Sequence, residues 1–224
     1  MRINIAIDGP SAAGKSTIAK RLAKILNYVH LDTGAMYRCV AYKALQSNID
    51  LEDEEQLFQM LRNTKIELTS DGKVFLDGND VSSLIRTDEI SLAASKVSKH
   101  PLVRKNLVSL QQEMAKSKGF IMDGRDIGTV VLKNAEVKIF MVASALARAK
   151  RRYNQNIEMN IPTSDIETIA KEIEERDYQD THRLVSPLKK ANDAIEIDTS
   201  DMTIDEVTNK ILELVKPFVE KEEC

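Results

Sequence analysis

Gly9-Pro10-Ser11-Ala12-Ala13-Gly14-Lys15-Ser16, followed by Thr17, fits the pattern G-x-x-x-x-G-K-[ST]. Upstream, Ile3, Ile5 and Ile7 alternate until Gly9-Pro10 ends the run, which predicts a buried strand entering a loop. Downstream, Ile18, Leu22, Ile25 and Leu26 recur at helical spacing and predict a helix over Lys15–Leu26. Strand, glycine loop and helix form the context in which this pattern has physical meaning. The glycines let the backbone wrap closely around phosphate oxygens, and the helix amino end offers free N–H groups and a positive dipole end to the same anion. Lys15 adds a point charge at the β- and γ-phosphates, and Ser16 offers a hydroxyl ligand to Mg²⁺. The loop Gly9 to Thr17 is therefore expected to hold a nucleoside triphosphate.

The pattern outside the loop decides the class. Tyr28–Leu31 reads as a second short strand, Asp32-Thr33-Gly34 as a loop, and Met36, Val40 and Ala44 as a new helical stripe. Phe120–Met122, Val137–Met141 and Ala194–Ile197 are further short strands, with helical patterns over Asp88–Ser98, Pro101–Ser117, Ala145–Asn156, Asp165–Asp180 and Ile204 to Glu220. Such alternation predicts an α/β fold, a central parallel sheet covered by helices in three layers. The rhythm breaks over 64–86, where Ile66–Thr69, the turn Asp71-Gly72, Val74–Leu76 and the turn Asp77-Gly78 read as a small antiparallel β module. The same text would also suit an ordinary surface hairpin.

Composition narrows the function. Lys and Arg total 32 against 35 Asp and Glu, so the net charge of −3 gives no overall pull toward nucleic acid or anionic lipid. Aromatics are 4% of the 224 residues and Trp is absent, which argues against base-stacking platforms. Cys39 and Cys224 cannot build a disulfide framework. Met1–Ile5 lacks the apolar core of a signal peptide, and the longest uncharged stretch, Ile139–Ala147, is far short of the ~20 residues that span a bilayer. A cytoplasmic monomer without nucleic-acid or membrane partners is expected.

The arginines suggest a second anion. Arg38 lies one turn beyond the Asp32 loop and Arg125 follows a strand end, where parallel sheets place ligand crevices. Arg176, Asp180 and Arg183 fall at i, i+4 and i+7, so a continuous helix would align them; Arg148, Arg151 and Arg152 form a second group. Guanidinium forks match phosphate oxygens. No histidine stands out as a general base: His30 and His100 read as structural, His182 as exposed. A base is unnecessary if the acceptor is a phosphate monoester, whose second pKa is ~6. The difficulty is then repulsion, roughly 4 kcal/mol for two unit charges ~4 Å apart at an effective dielectric of 20. These features fit a kinase acting on a nucleoside monophosphate.

Several runs resemble the bacterial cytidylate (CMP/dCMP) kinase family over essentially the whole chain. They are Ile7-Asp8-Gly9-Pro10, Leu31 to Arg38, Ala94-Ser95 with Pro101 and Arg104, Met122-Asp123-Gly124-Arg125-Asp126-Ile127-Gly128-Thr129-Val130-Val131, Arg176-Asp177 through Asp180 to Arg183, Ser186-Pro187-Leu188 and Ala191-Asn192-Asp193-Ala194. The resemblance implies a P-loop NTPase fold. It divides the chain into core at 1–32, 119–147 and 187–224, a monophosphate-binding region at 33–118 with the β insert at 64–86, and a helical lid at 148–186.

The resemblance also implies site roles. Gly9, Pro10, Ser11, Ala12, Ala13, Gly14, Lys15, Ser16 and Thr17, with Arg148 and Arg152, would bind ATP, and Ser16 the Mg²⁺. Lys15, Arg125, Arg176 and Arg183 would be catalytic. Thr33, Arg38, Arg125 and Arg183 would hold the acceptor phosphate, and Ser95, Arg104 and Asp126 would read the cytosine edge. Arg176 and Asp180 would lie near the sugar and the transferred group, with Asp123 orienting Mg²⁺ through water. Leu146-Ala147 departs from the acidic residues usual in the family. The implied reaction is γ-phosphoryl transfer from ATP to CMP or dCMP. The alternatives are a related small kinase for another monophosphate or a hydroxyl substrate, and a nucleotide-dependent switch. The switch lacks support, since Asn209-Lys210-Ile211-Leu212 has no Asp where N-K-x-D requires one.

Overall fold

The computed structural model of the chain describes residues 1–69, 72–158 and 160–219. Asp71 of the expected Asp71-Gly72 turn lies outside the described residues, as do the expected helix end Glu220, the charged run Lys221–Glu223 and Cys224. The chain divides into two compact units, Met1–Tyr28 with Lys118–Cys224, and Val29–Ser117.

In the first unit, β1 (Ile5–Asp8) lies between β6 (Phe120–Gly124) and β7 (Val137–Val142), parallel to both. Ile5 is in register with Ile121 and Val137, and Asp8 with Gly124 and Phe140. β8 (Ile195–Asp198) adds to β7 in parallel. The order β6-β1-β7-β8 belongs to a parallel sheet of five strands. Every residue of β1 is buried, as expected of a central parallel strand covered on both faces. Ile5, Ile7, Ile121 and Ile139 pack with Ile18 and Leu22 of α1 (Lys15–Leu26) and with Val207, Ile211 and Val215 of α8 (Ile204–Val219). Helices α6 (Ala145–Glu158) and α7 (Ile166–His182) form a hairpin with a small core of its own, Ala149, Ile169 and Ile173. Among the described residues no helix is long and apolar enough to cross a membrane.

The second unit opens with β2 (Val29–Asp32) and α2 (Thr33–Gln46). The expected Asp32-Thr33-Gly34 loop is absent: Asp32 ends the strand and caps the helix, its carboxylate accepting from the Ala35 N–H at 3.0 Å. α3 (Glu54–Arg62), which the sequence reading did not assign, is capped by Asp53 and buries Leu57 and Leu61. β3 (Ile66–Leu68), β4 (Val74–Leu76) and β5 (Asn79–Asp80) form the antiparallel module. Asp77 and Gly78 both have positive φ, 50° and 83°, the backbone that an Asp-Gly hairpin turn requires. The module is more than a surface hairpin. Val74, Leu76, Val81 and Ile85 pack against Ala35 and Cys39 of α2 and against Ile90 of α4 (Asp88–Val97). Helix α5 (Pro101–Ala115) completes the unit.

Candidate active site

The phosphate loop begins where β1 ends. At Gly9, φ is 148° and an added Cβ would sit 2.0 Å from the Met141 carbonyl oxygen, so only glycine fits. Gly14, left-handed at φ 89°, enters α1 with no side-chain cap. The first N–H groups of α1 are thus available to an anion, as the sequence pattern requires. Lys15 is buried and its ammonium donates to the Pro10 carbonyl at 2.6 Å. Burial pushes Lys15 down to about 7, with Arg125 adding repulsion while Asp123, Asp8 and Asp180 oppose the shift. Ser16 donates its hydroxyl proton to Asp123 Oδ2 at 2.7 Å. Thr17 is exposed on the first turn of α1.

The same unit gathers the guanidinium groups around Asp180 on α7. Arg125 Nε donates to Asp180 Oδ2 at 2.7 Å. Arg183 Nη1 lies 3.9 Å from Asp180 Oδ1, and Arg183 Nη2 3.8 Å from Asp126 Oδ1. Burial alone would raise the Asp180 carboxyl, but Arg125, Arg176 and Arg183 hold it below its ordinary value. The expected single helical face needs a correction. α7 ends at His182, and Arg183 adopts extended backbone as the helix cap, held by its Nε donating to the Ser186 carbonyl at 2.7 Å. Arg183 therefore reaches the cluster by leaving the helix, while Arg176 and Asp180 stay within it.

Arg148 of α6 is buried and turned onto the loop backbone. Its Nη1 donates to the Ser11 carbonyl at 3.2 Å and to Asp177 Oδ2 at 2.5 Å, and Asp177 Oδ1 accepts from the Ser11 N–H at 3.4 Å. A carboxylate and a guanidinium thus hold the two backbone polar groups of Ser11, one from each peptide flanking it. Arg152 lies on the same helix, half-buried. Arg151 donates to both the hydroxyl and the carbonyl of Thr199.

In the second unit, Arg38 on α2 donates to Asp32 Oδ2 at 2.8 Å, while its buried Nε has no hydrogen-bond partner among the described residues. Burial would raise Asp32, yet Arg38, His30 and the Ala35 N–H hold it low. Thr33 is buried at the start of α2. Ser95 and Arg104, on α4 and α5, are linked through Ser98, whose hydroxyl donates to the Ser95 carbonyl at 2.8 Å and whose carbonyl accepts from Arg104 at 3.1 Å. The Arg104 guanidinium lies 5.4 Å from the Tyr37 ring centre, within cation–π range.

Two residues of the first unit received no role from the sequence: Asp177, and Asp8, which accepts from the Ile127 and Gly128 N–H groups at 2.7 Å each. Asp8 carried a signal, a carboxylate closing a strand buried on both faces. Asp177 carried none beyond its neighbour Arg176.

The sequence model of the family described as cytidylate kinase matches residues 5–217. A cytidylate kinase of a Geobacillus species is 55% identical over 216 residues, covering 95% of this chain and 96% of that one. One from Bacillus subtilis is 54% identical over 218 residues, covering 96% and 97%. Among solved structures, shikimate kinase from Acinetobacter baumannii shares the fold at 16% identity, with a TM-score of 0.50 over 99% of this chain and 97% of that one.

Proposed function

The chain belongs to the cytidylate kinase family and transfers the γ-phosphoryl group of ATP to CMP or dCMP, and from that premise we propose which of its residues carry the reaction. Gly9 to Thr17 hold the triphosphate through backbone N–H groups, with Lys15 at the β- and γ-phosphates. Arg125, Arg176 and Arg183 take the charge that spreads over the transferred group, and the observation that carries this is their gathering about the Asp180 carboxylate. Arg125 and Arg183 also hold the acceptor phosphate, as do Thr33 and Arg38. Asp126 reads the cytosine amine, and Ser95 and Arg104 contact the base edge. Asp180 lies by the sugar and aims the arginines.

No general base is required. The acceptor oxygen is ionised at neutral pH because the second pKa of a phosphate monoester is ~6. The protein's work is to hold two polyanions in line and to neutralise them. Mg²⁺ fits the residues present: the Ser16 hydroxyl and the Asp123 carboxylate, 2.7 Å apart beside the loop, are hard oxygen donors. Among the described residues no cluster of three or more His, Cys, Asp or Glu could hold a metal ion. Such an ion would supply charge neutralisation at the phosphates. Arg148 and Arg152 serve the ATP side, Arg148 by fixing the Ser11 peptide.

Residues 148–186 act as a lid over the reacting groups, and 33–118 as the monophosphate-binding region. Excluding water matters because water is a competing acceptor. The α6–α7 hairpin rests on the small core Ala149, Ile169 and Ile173, to which Ala12 of the loop is packed, so opening exposes little apolar surface. We expect a cytoplasmic monomer without nucleic-acid or membrane partners.

A coupled ADP-release assay over CMP, dCMP, UMP, AMP and shikimate tests the assignment with the wild-type protein and Arg125→Ala. Turnover with CMP or dCMP, lost by about 10²–10³-fold in the variant, is expected. Turnover with AMP and none with CMP would overturn the substrate, and an unimpaired Arg125→Ala would overturn the assignment of roles.

A further inference from the structure

The segment that carries Arg125 and Asp126 continues directly into a tight turn. Ile127–Val131 is a short stretch of π-helix, closed by the Leu132 N–H donating to the Ile127 carbonyl at 2.6 Å. Such turns are rare and recur at functional sites. The first N–H groups of any helical turn need an acceptor from outside it. Asp126 stands at the position from which an aspartate ordinarily supplies one, yet its side chain makes no cap hydrogen bond. The acceptor comes from another strand. Asp8, the last residue of β1, takes the Ile127 N–H on Oδ1 and the Gly128 N–H on Oδ2, both at 2.7 Å and both buried. The Asp126 carboxylate faces Arg183 instead.

We propose that Asp8 is a positioning residue for the acceptor end of the reaction: by capping the Ile127 turn in place of Asp126, it fixes the backbone that aims Arg125 and keeps the Asp126 carboxylate for the nucleotide base. The inference rests on the roles proposed above for Arg125 and Asp126. Three observations support it beyond the pair of hydrogen bonds. Asp8 is joined by one peptide to Gly9, so the turn is referenced to the same rigid strand end as the triphosphate loop. Asp8 Oδ2 also packs closely on the turn, since a Cβ at Gly128 would sit 3.3 Å from it. Burial raises the Asp8 carboxyl to about 6 against the pull of the two N–H donors, so the group is held there at a cost. A merely structural cap of the Gly128 N–H could be supplied by Asp126 itself, whereas the Ile127 N–H, the first of the turn, lies beyond the reach usual for a capping side chain and needs Asp8.

If Asp8 is removed, Asp126 becomes the natural cap of its own turn and is drawn from the base. The test is steady-state kinetics of the full chain with CMP, dCMP and UMP at varied ATP, for wild type, Asp8→Asn, Asp8→Ala and Gly128→Ala, beside Arg125→Ala and Asp126→Ala. Asp8→Asn and Asp8→Ala should lower kcat/KM for CMP by about 10- to 100-fold, the scale of a displaced reacting group. They should also reduce the preference for CMP over UMP and leave the KM for ATP within about twofold. Gly128→Ala presses on the same contact, and on the Lys138 side chain at 3.2 Å, without removing the charge. It should shift the CMP constants in the same direction by less, and it decides the matter if the Asp8 variants do not fold. In NMR spectra the Ile127 and Gly128 amide protons should move upfield in Asp8→Asn as the carboxylate acceptor is lost. An equal rise in the KM for ATP, or unchanged CMP constants and CMP/UMP preference beside impaired Arg125→Ala and Asp126→Ala, overturns the proposal. Unimpaired Arg125→Ala and Asp126→Ala overturn the site reading instead, and the Asp8 role with it.

Discussion

The phosphate loop and the arginine cluster belong to the same unit and serve the same transfer in the function proposed above, but they are made differently. The loop is a backbone device: Gly9 is forced by a carbonyl oxygen 2.0 Å from where a Cβ would stand, and the open start of α1 supplies its N–H groups. The cluster is a side-chain device, in which Arg125, Arg176 and Arg183 are held around one buried carboxylate. A backbone site tolerates no change of shape, whereas a side-chain site loses function in steps. Substitutions should separate the two.

The largest effect is expected at Gly9→Ala. The new methyl group must displace β7 backbone at Met141, so the variant should show no measurable ATP binding by calorimetry and a lowered thermal midpoint. Detectable binding at wild-type affinity would break the contrast. Lys15→Ala comes next, with kcat lowered by about 10³-fold. Its thermal midpoint should not fall at pH 7, because burying the ammonium already disfavours the charged form, which pushes its pKa down to about 7. A loss of stability matching the loss of activity would assign Lys15 a structural role.

Asp180→Asn should behave oppositely. Removing one partner of a buried ion pair is expected to destabilise by about 3–5 kcal/mol, read by denaturant unfolding, because Arg125 keeps its charge beside Arg183. A neutral result would mean that the arginines are held by other contacts.

The smallest expected effect concerns pH. The Asp8 carboxyl is raised from 3.8 to about 6 by burial, with Asp126 adding to the rise and the Ile127 and Gly128 N–H groups and Lys15 opposing it. A carboxyl raised on folding binds its proton more tightly in the native state. Its favourable contribution is therefore complete below the unfolded pKa and lost as pH rises through about 6. Unfolding free energies of wild type minus Asp8→Asn should fall by about 2 kcal/mol between pH 4 and 7. A difference independent of pH would place Asp8 in a more hydrated setting than its burial implies.

What could be read in advance follows the same division. The loop was legible because its determinants are adjacent in the chain, glycines at fixed offsets between an alternating apolar run and a helical stripe. The antiparallel module was legible as turns and strands, but its docking of Val74 and Leu76 on Cys39 of α2 was not, since that contact joins distant residues. The Asp32-Thr33-Gly34 text looked like a loop because a strand ending and a helix capping share the same residue types, and Asp32 does both. Arg183 looked helical because i, i+4, i+7 spacing carries no mark of where a helix stops.

By itself the sequence determined the alternation of strand and helix, the glycine loop between β1 and α1 and the supply of guanidinium groups, all set by neighbours within a few residues. Only the tertiary structure decided that Asp8 rather than Asp126 caps the turn after β6, that Asp177 and Arg148 clasp Ser11, and that Asp180 pairs with Arg125. These choices rest on which buried polar groups can find a partner. That depends on residues between 29 and 166 positions apart being brought within hydrogen-bond reach.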